Sequence, residues 1–417
     1  MAVPKLRFKG FISDWDSRKF SDALSFLGTN SFSRDNMNLV SGSVKNIHYG
    51  DILVIYGNVL DTSCEQIPFV NEDVNISKIK EKDYLLSGDV IIADTAEDYT
   101  VGKATEIINS KGIKIIAGLH TQACRPKMKF AVGYLGNFVN SLAFRKQIRR
   151  IAQGTKVLSI IKKYIEDTEI HFPIEKEQQK IADFLTTFDK RITAQQNIVA
   201  DLEETKKGLL QKIFSQEIRF KDDNGQDYPD WKESTIGNEG YFYYGKSAPK
   251  WSITDDAQTP CIRYGELYTT HYYEVKEIKS YTNIERKNLR FSKGNEVLVP
   301  RVGEDPLDFH RCAYLPFKDV AIGEMISVYN TENNPLFISY CFNATMKYKF
   351  ARVVEGGNVS NLYYSYLENI GIGIPCREEQ DKIAEYFSTF DKKITAEKQI
   401  LSDLQEMKKG LLQQMFV

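Results

Sequence analysis

One segment of the chain occurs twice, and this duplication constrains the fold more than any other feature. Residues 173–214 read PIEKEQQKIADFLTTFDKRITAQQNIVADLEETKKGLLQKIF, and residues 375–416 read PCREEQDKIAEYFSTFDKKITAEKQILSDLQEMKKGLLQQMF. The copies align without a gap, and 24 of the 42 positions are identical. Chance does not produce such a match, so the segment is an internal duplication. The fold must therefore place the same element in two equivalent environments.

The duplication divides the chain into four parts. Two long regions with little sequence in common, 1–172 and 219–374, alternate with the repeated parts, 173–218 and 375–417. The long regions begin alike, because LRFK leads to Asp-Trp in the first and IRFK leads to Asp-Trp in the second. The same repeat offset also aligns GTKV, ahead of the first copy, with GGNV ahead of the second. The sequence therefore predicts two globular domains, each followed by one copy.

Each repeated segment is predicted to be helical, because its apolar residues recur three and four positions apart and no proline follows the first residue. The apolar stripe is narrow, which is typical of a coiled-coil seam. About 27 residues of helix would be roughly 40 Å long. The shared Thr-Phe-Asp sequence, at 187–189 and 389–391, is expected to mark a break between a short helix and this long one. The predicted seam comprises Phe188, Ile192, Val199, Leu202, Leu209, Ile213, Phe390, Ile394, Leu401, Leu404, Leu411 and Met415.

The regions between the copies are predicted to be mixed α/β domains of the α+β kind. Runs of β-branched and aromatic residues broken by glycine, at 51–57, 89–93 and 296–300, indicate strands. Helical stretches precede each repeated segment, at about 138–151 and 336–353. The two copies offer each other matching seams, so we expect the helices to pair within the chain.

Basic residues are concentrated in one part of a chain that is nearly neutral overall. The formal net charge is −1, yet residues 107–165 contain 12 Lys or Arg and no Asp or Glu. Such a window is typical of a surface that binds nucleic acid, although its acidic partners could also come from elsewhere in the sequence. Arginine and lysine contact phosphates, and arginine also reads base edges. The predicted DNA-binding residues are Arg125, Lys127, Lys129, Arg145, Lys146, Arg149, Arg150 and Lys156 in the first domain, and Arg301, Arg311, Lys347, Lys349 and Arg352 in the second.

Motifs for catalysis or cofactor binding fail on closer inspection. Residues 240–247 satisfy the phosphate-loop pattern, but their four consecutive aromatics would crowd the loop, and a strand followed by a turn at 245–249 fits better. The Asn-Pro-Leu-Phe sequence at 334–337 lacks the second proline of an adenine methyltransferase loop, and a turn leading into a helix is expected there. Pro229-Asp230 with Glu233 lacks the further acid and lysine of a metal nuclease.

Histidine and cysteine spacing predicts neither a metal site nor a disulfide framework. No two of the five histidines form a ligand pair, and no two of the six cysteines have CxxC spacing. No apolar run approaches the roughly 18 residues of a membrane span, and the N-terminus has no signal-peptide core. These features indicate a reducing, cytoplasmic location.

The repeated EQxKIA, TFDKxIT and KKGLLQ sequences, together with the alternation of variable region and helix, resemble the specificity subunits of type I restriction–modification enzymes. The GKSAP sequence at 245–249 also looks like a Gly-Lys-Thr-Pro-type element of that family's recognition domains. The resemblance implies a non-catalytic protein whose two target-recognition domains each read one half of a bipartite, double-stranded DNA site. It implies long antiparallel helices, related by a pseudo-two-fold internal repeat, that set the half-site spacing and dock two modification subunits.

The resemblance also implies what this chain leaves to its partners. Modification subunits would bind S-adenosylmethionine and methylate adenine, and restriction (motor-nuclease) subunits would use ATP and Mg; no cofactor is expected in this chain. Two other interpretations stay open at this point. One is a self-contained DNA methyltransferase or nuclease with fused specificity domains, against which the missing cofactor and carboxylate motifs argue. The other is an ATP-binding protein that uses residues 240–247.

Overall fold

The computed structural model describes residues 3–64 and 66–417. The chain forms two compact units whose boundaries lie inside the two repeated helices, Glu175–Phe214 and Arg377–Gln414. The first unit holds the residues up to Asn197 together with Lys398–Val417, and the second unit holds Ile198–Glu397. Each unit therefore combines one globular region, the first half of the helix that follows it and the last half of the other helix.

The first unit is a mixed α/β domain. Its five-stranded sheet has the order β2-β11-β7-β9-β5, and its four-stranded sheet has the order β10-β4-β6-β3. In chain order the helices and strands are β1 (Asp16–Lys19), α1 (Phe20–Ala23), β2 (Leu24–Phe26), β3 (Met37–Asn38), β4 (Lys45–Ile47), α2 (Tyr49–Val54), β5 (Val59–Asp61), β6 (Phe69–Val70), β7 (Val90–Ala93), β8 (Thr95–Ala96), β9 (Ala104–Ile108), β10 (Ile115–Ala117), β11 (Thr121–Pro126), α3 (Tyr134–Asn140), α4 (Leu142–Ile151), β12 (Leu158–Ser159), α5 (Lys162–Glu166), β13 (Glu169–Phe172) and α6 (Glu175–Phe214).

The second unit has the same kind of architecture. Its five-stranded sheet has the order β15-β24-β20-β22-β17, and its four-stranded sheet has the order β18-β16-β23-β19. In chain order the helices and strands are β14 (Lys232–Thr235), β15 (Gly240–Tyr244), β16 (Thr259–Ile262), α7 (Tyr264–Thr269), β17 (Tyr273–Glu274), β18 (Ser280–Thr282), β19 (Phe291–Lys293), β20 (Glu296–Pro300), β21 (Val302–Gly303), β22 (Ala313–Leu315), β23 (Lys318–Ile322), β24 (Ile326–Thr331), α8 (Pro335–Thr345), α9 (Lys347–Ala351), β25 (Glu355–Gly356), β26 (Ser360–Asn361), α10 (Tyr364–Leu367), β27 (Gly371–Ile374) and α11 (Arg377–Gln414).

The two five-stranded sheets match strand for strand, although the sequences that build them differ. In both sheets the pair at one edge is parallel, β5 with β9 and β17 with β22. The other three pairs are antiparallel in both. Strand formation depends on burial and on packing against neighbours more than on particular residues, so the same sheet can form from dissimilar sequences. The predicted mixed α/β fold with an internal repeat is confirmed.

Two local predictions were wrong. Residues 51–57, predicted as a strand, lie largely in helix α2, which His48 caps by accepting the backbone N–H of Gly50. Ile52 is fully buried in that helix, so tertiary packing overrode the strand preference of its apolar run. The Thr-Phe-Asp sequences do not break the helices, because α6 runs unbroken for 40 residues and α11 for 38. A helix of 40 residues is about 60 Å long, longer than the sequence suggested.

The shared motif at the start of each domain is explained by a buried ion pair with the first turn of its helix. Arg7 donates to both carboxylate oxygens of Glu177, at 2.6 and 2.7 Å, and Arg219 contacts Glu379 in the same way, at 3.3 and 2.8 Å. Both carboxylates are almost completely buried, at 0% and 1% exposure. Because bidentate arginine pairs fix direction as well as distance, these contacts hold each domain on the helix that follows it.

The C-terminal end of each repeated segment, Phe214 or Phe416, is buried in the globular region that lies in the same unit. In the first unit Phe416 packs against the ring of Trp15, and in the second unit Phe214 packs against Trp231, with ring centroids 6.4 and 6.1 Å apart. Met415 and Ile213, the residues before them, are also buried. Each globular core is therefore completed by the C-terminal end of the copy of the repeat that does not follow that core in sequence.

A lysine–aspartate pair recurs in both units and joins the two helix segments there. Asp189 pairs with Lys408 in the first unit, and Lys206 pairs with Asp391 at 2.6 Å in the second. Leu185 of α6 and Leu411 of α11 belong to the same hydrophobic cluster of the first unit. All twelve predicted seam residues are buried or half-buried.

The second pair lies in a tightly packed environment. The Lys206 ammonium sits 3.5 Å from the ring centroid of Tyr273 and is 5% exposed, while Tyr340 donates its hydroxyl to Asp391 at 2.6 Å. Burial lowers the pKa of Lys206 to about 8, against the opposing effect of the Asp391 charge. The ammonium is therefore held by its carboxylate partner and by the face of an aromatic ring.

We predict that Lys206→Met destabilises the second unit by about 3 kcal/mol, because it leaves the partly buried Asp391 carboxylate without its cation. Urea unfolding measures the loss. The double variant Lys206→Met with Asp391→Asn should recover part of it, since no lone charge remains and an acceptor for Tyr340 is kept. Lys212→Met, at a lysine of the same helix that is 50% exposed, is the matched control and should change little. Equal losses in the single variant and the control would contradict the prediction.

Candidate nucleic-acid interface

Helix α4 presents a basic face in the first unit. Ser141 caps its N-terminus by accepting the backbone N–H of Phe144. Phe144 and Ile148, four residues apart, are fully buried and fix the orientation of the helix. The opposite face is exposed and carries Lys146, Arg149 and Arg150. Among the described residues these three side chains have no ion-pair partner, and Arg149 lies over the ring of Tyr99 at 5.9 Å.

Two polar side chains of the same helix face inward instead. Arg145 donates to the backbone carbonyls of Val101 and Tyr99, both at 2.5 Å. Burial lowers the pKa of Arg145 to about 10, and the neighbouring Arg149 charge acts in the same direction. Gln147 both donates to and accepts from the backbone of Glu169. Arg145 and Gln147 therefore hold α4 in place, and the exposed cations are the ones available to a ligand.

Arg125 is also committed to contacts within its domain. Its guanidinium donates to both carboxylate oxygens of Asp89, at 2.9 and 2.6 Å, and to the carbonyls of Lys82 and Tyr84. Asp89 is 1% exposed, so this is a buried bidentate pair. The acid-free window thus takes one of its acidic partners from earlier in the chain, as the alternative interpretation of that window supposed.

The remaining predicted DNA-binding lysines of the first domain are exposed. Lys127 donates to the carbonyl of Ser21 at 2.6 Å, and Lys129 forms an exposed ion pair with Glu175 at 2.8 Å. Lys156 lies on an exposed turn and has no ion-pair partner among the described residues. Exposed pairs contribute little to stability, so Lys129 can exchange its partner for a phosphate at small cost.

The turn that carries Lys156 explains the Gly-Thr-Lys-Val motif. Gly154 has φ of 126°, and a Cβ there would lie 1.9 Å from the carbonyl oxygen of Val157. Gly356, at the aligned position, has φ of 122°, and a Cβ would lie 2.6 Å from the Val359 oxygen. Glycine is required at both positions by conformation and by space.

The predicted cations of the second unit divide in a similar way. Lys349 donates to the carbonyl of Gly371 at 2.9 Å, and Arg311 pairs with Asp308 at 3.0 Å. Lys347 and Arg352, at the two ends of α9, are exposed and have no ion-pair partner among the described residues. Tyr348, between them, is 67% exposed. Exposed cations beside an exposed aromatic ring suit contact with a polyanion that also has flat bases.

Arg301 lies apart from α9, directly after strand β20. Its guanidinium lies over the ring of Tyr244 at 4.4 Å and near that of Tyr363 at 5.6 Å. Arg290, which sequence reasoning missed, lies over Tyr243 at 5.6 Å and donates to the carbonyl of Tyr244 at 3.1 Å. The aromatic run of β15 was the available signal, because aromatic rings attract cations over their faces.

The phosphate-loop pattern at 240–247 forms strand β15 and the turn after it, as the sequence predicted. Ser247 and Ala248 both have positive φ, at 68° and 60°. Asn334 caps α8 by accepting the N–H groups of Leu336 and Phe337, so the Asn-Pro sequence is a helix start. Within 3–64 and 66–417, no group of three or more His, Cys, Asp or Glu side chains is arranged to hold a metal ion. No helix in those residues is both long enough and apolar enough to span a membrane.

Known proteins resemble this chain in sequence and in fold. The sequence profile of the family described as type I restriction modification DNA specificity domain matches twice, at residues 43–204 and 228–406. The MjaX type I restriction enzyme specificity subunit of Methanocaldococcus jannaschii is 24% identical over 413 residues, covering 96% of this chain and 92% of that protein. The MjaIX specificity subunit of the same organism is 22% identical and covers 66% of each chain. None of these matches supports a self-contained methyltransferase or nuclease.

Solved structures give the same result for the fold. The type I restriction–modification S subunit from M. genitalium superposes with a TM-score of 0.57 at 14% identity, covering 100% of this chain and 99% of that one. A chain from a structural study of type I complex assembly and conformational transition also superposes with a TM-score of 0.57 at 14% identity, covering 96% of each chain. With its two matched domains and duplicated helices, the chain belongs to the family of type I restriction–modification DNA specificity subunits.

Proposed function

We propose that the globular regions of the two units each read one half of a bipartite DNA sequence. The observation that carries this proposal is that the two units have the same architecture but carry different cations at their surfaces. The first unit offers the exposed Lys146, Arg149, Arg150 and Lys156, and the second offers the exposed Lys347 and Arg352 together with the partly buried Arg301. A shared scaffold docks both domains on DNA alike, while different side chains select different bases. The proposed ligand, cellular DNA, places the protein in the cytoplasm.

We propose that the two long helices set the half-site spacing and dock two modification subunits. Several exposed positions are identical in the two copies although packing does not require it. They include Ile198 with Ile400, Asp201 with Asp403, and Lys207 with Lys409. The isoleucines are 44% and 46% exposed. Two equivalent exposed surfaces suit two copies of one partner, because equal surfaces bind equal subunits.

Catalysis is proposed to reside in the partners. Modification subunits would supply S-adenosylmethionine and adenine methylation, and restriction subunits would supply ATP- and Mg-dependent translocation and cleavage. Co-expression of this chain with its cognate modification subunit, followed by mapping of methylated adenines, tests the proposal. We expect one bipartite motif with an unspecified spacer. A continuous motif, or methylation by this chain alone, would refute it.

We predict that inserting four residues at Thr193–Ala194 and at the equivalent Thr395–Ala396 lengthens the unspecified spacer. Four residues add about 6 Å and slightly more than one helical turn, so the seam nearly keeps its phase while the spacing grows by one to two base pairs. Both half-site sequences should stay unchanged in the methylation map. Inserting two residues at both sites is the control and should abolish assembly, because the seam then turns away from its partner. An unchanged spacer after the four-residue insertion would contradict the proposal that the helices set the half-site spacing.

We predict that Arg149→Ala weakens recognition of one half-site only, because Arg149 is exposed on α4 and no ion pair among the described residues holds it. Binding of the complex to DNA with either half-site scrambled measures the effect at two salt concentrations. Loss of one phosphate contact should lower the salt dependence by about one ion. Arg18→Ala, at an exposed arginine of the first unit paired with Asp16, is the matched control. Equal loss at both half-sites would indicate a folding defect.

A further inference from the structure

One position occurs at the same place in both five-stranded sheets and carries opposite charge in the two units. Asp94 follows β7, and Arg301 follows β20, each a central strand with two neighbours. The next strand is β8 in the first unit and β21 in the second, and these pair with β12 and β26. The two residues thus occupy the same junction between a central strand and a two-residue strand.

Backbone hydrogen bonds confirm the match. The N–H of Asp94 donates to His120 O at 3.0 Å, and the N–H of Arg301 donates to Met325 O at 3.0 Å. His120 and Met325 each directly precede the strand beside the central one, β11 or β24. The carbonyl of Asp94 accepts from Ile160 N, and that of Arg301 from Leu362 N, both at 2.8 Å. The equivalence is set by register, and the two side chains differ only in chemistry.

Arg301 is held in place but keeps most of its hydrogen-bonding capacity. Stacking on Tyr244 fixes the plane of the guanidinium. Among the described residues its side chain makes one hydrogen bond, a long one of 3.5 Å from Nη1 to the carbonyl of Glu324. Its Nε is buried and has no partner there. Most of the five N–H donors of this guanidinium therefore have no acceptor among the described residues.

Arg301 lies among aromatic rings and other cations, beside the acidic residue Glu324, whose carbonyl it contacts. Arg290 contacts the backbone of the same Tyr244, and the following turn carries Lys246 and Lys250. Trp251, at the end of that turn, is 72% exposed. An exposed large aromatic beside several cations is typical of a nucleic-acid contact surface.

Asp94 occupies a different setting in the first unit. Its carboxylate accepts from Gln122 Nε2 at 2.6 Å and from Thr95 Oγ1 at 2.9 Å. It lines an open cleft of about 510 Å³ together with Asn30, His120 and Gln122. A carboxylate has about four lone-pair sites, so these contacts leave it able to accept further donors from the cleft.

We propose that this shared position determines base specificity, with Arg301 reading a guanine in one half-site and Asp94 accepting from a base amino group in the other. The proposal rests on the proposed DNA-reading function and names the residues that carry it. A DNA phosphate at this position of the first unit would be repelled by the negatively charged Asp94 carboxylate. A base edge accommodates both residues, because guanine presents two acceptors to arginine while cytosine and adenine present amino donors to aspartate.

The test is methylation mapping of the complete complex with its cognate modification subunits, carrying Arg301→Ala or Arg301→Lys. We expect one guanine position in one half-site to become degenerate in both variants, with discrimination falling roughly 5- to 100-fold. Lysine should not rescue it, because a single ammonium cannot donate to two acceptors in a fixed plane. Asp94→Ala should relax one position in the other half-site only. In each variant the unaffected half-site shows that the complex has assembled.

Arg286→Ala is the matched control, since Arg286 stacks on Phe291 at 4.0 Å in the same unit but lies outside this junction. Its motif should equal that of the wild type. The proposal is overturned if Arg301→Ala leaves the motif intact, or if Arg301→Lys restores it while Arg301→Ala weakens modification at every site, which is the behaviour of a phosphate contact. Absence of a bipartite motif in the wild-type complex would instead refute the proposed function itself.

Discussion

The structure depends on how the ends of the repeated segments are buried. Each globular core is followed in sequence by one copy of the repeat and buries the C-terminal end of the other copy. Phe416 and Met415 complete the first core, and Phe214 and Ile213 complete the second. Large apolar side chains contribute most of the hydrophobic stabilisation in such cores. Each unit contains the first half of one copy and the last half of the other, so both copies of the repeat contribute to both units.

Buried polar groups also fix how the start of each repeated helix is oriented on its globular region. The Glu-Gln pair that begins each repeated helix illustrates this: Glu177 holds Arg7, and Gln178 accepts from the backbone N–H of Ala131. In the second unit Glu379 and Gln380 do the same for Arg219 and Asn334. A buried polar group costs free energy unless it is paired, so these contacts tolerate few alternative arrangements. The repeat therefore keeps polar identities as well as an apolar stripe.

The cations of the chain serve two purposes that their residue type does not distinguish. Arg125 and Arg145 satisfy carboxylate or carbonyl groups inside the first unit, whereas Arg149 and Arg150 remain exposed on α4. For the three arginines of α4, helical spacing decided between these roles, because the helix buries Phe144 and Ile148 and turns its opposite side outward. A basic window in sequence thus contains both the scaffold of an interface and its ligand-facing groups.

The sequence by itself determined the duplication, the helical state of its copies and the spacing of their seam. Gapless identity and a helical period are local properties of the chain. Tertiary structure alone decided that residues 51–57 hold a helix, since the burial of Ile52 outweighed strand preference, and that α6 continues past Asp189. It alone decided that Asp94 and Arg301 are equivalent. Their match is made by hydrogen bonds between strands far apart in the chain, and sequence alignment has no access to that register.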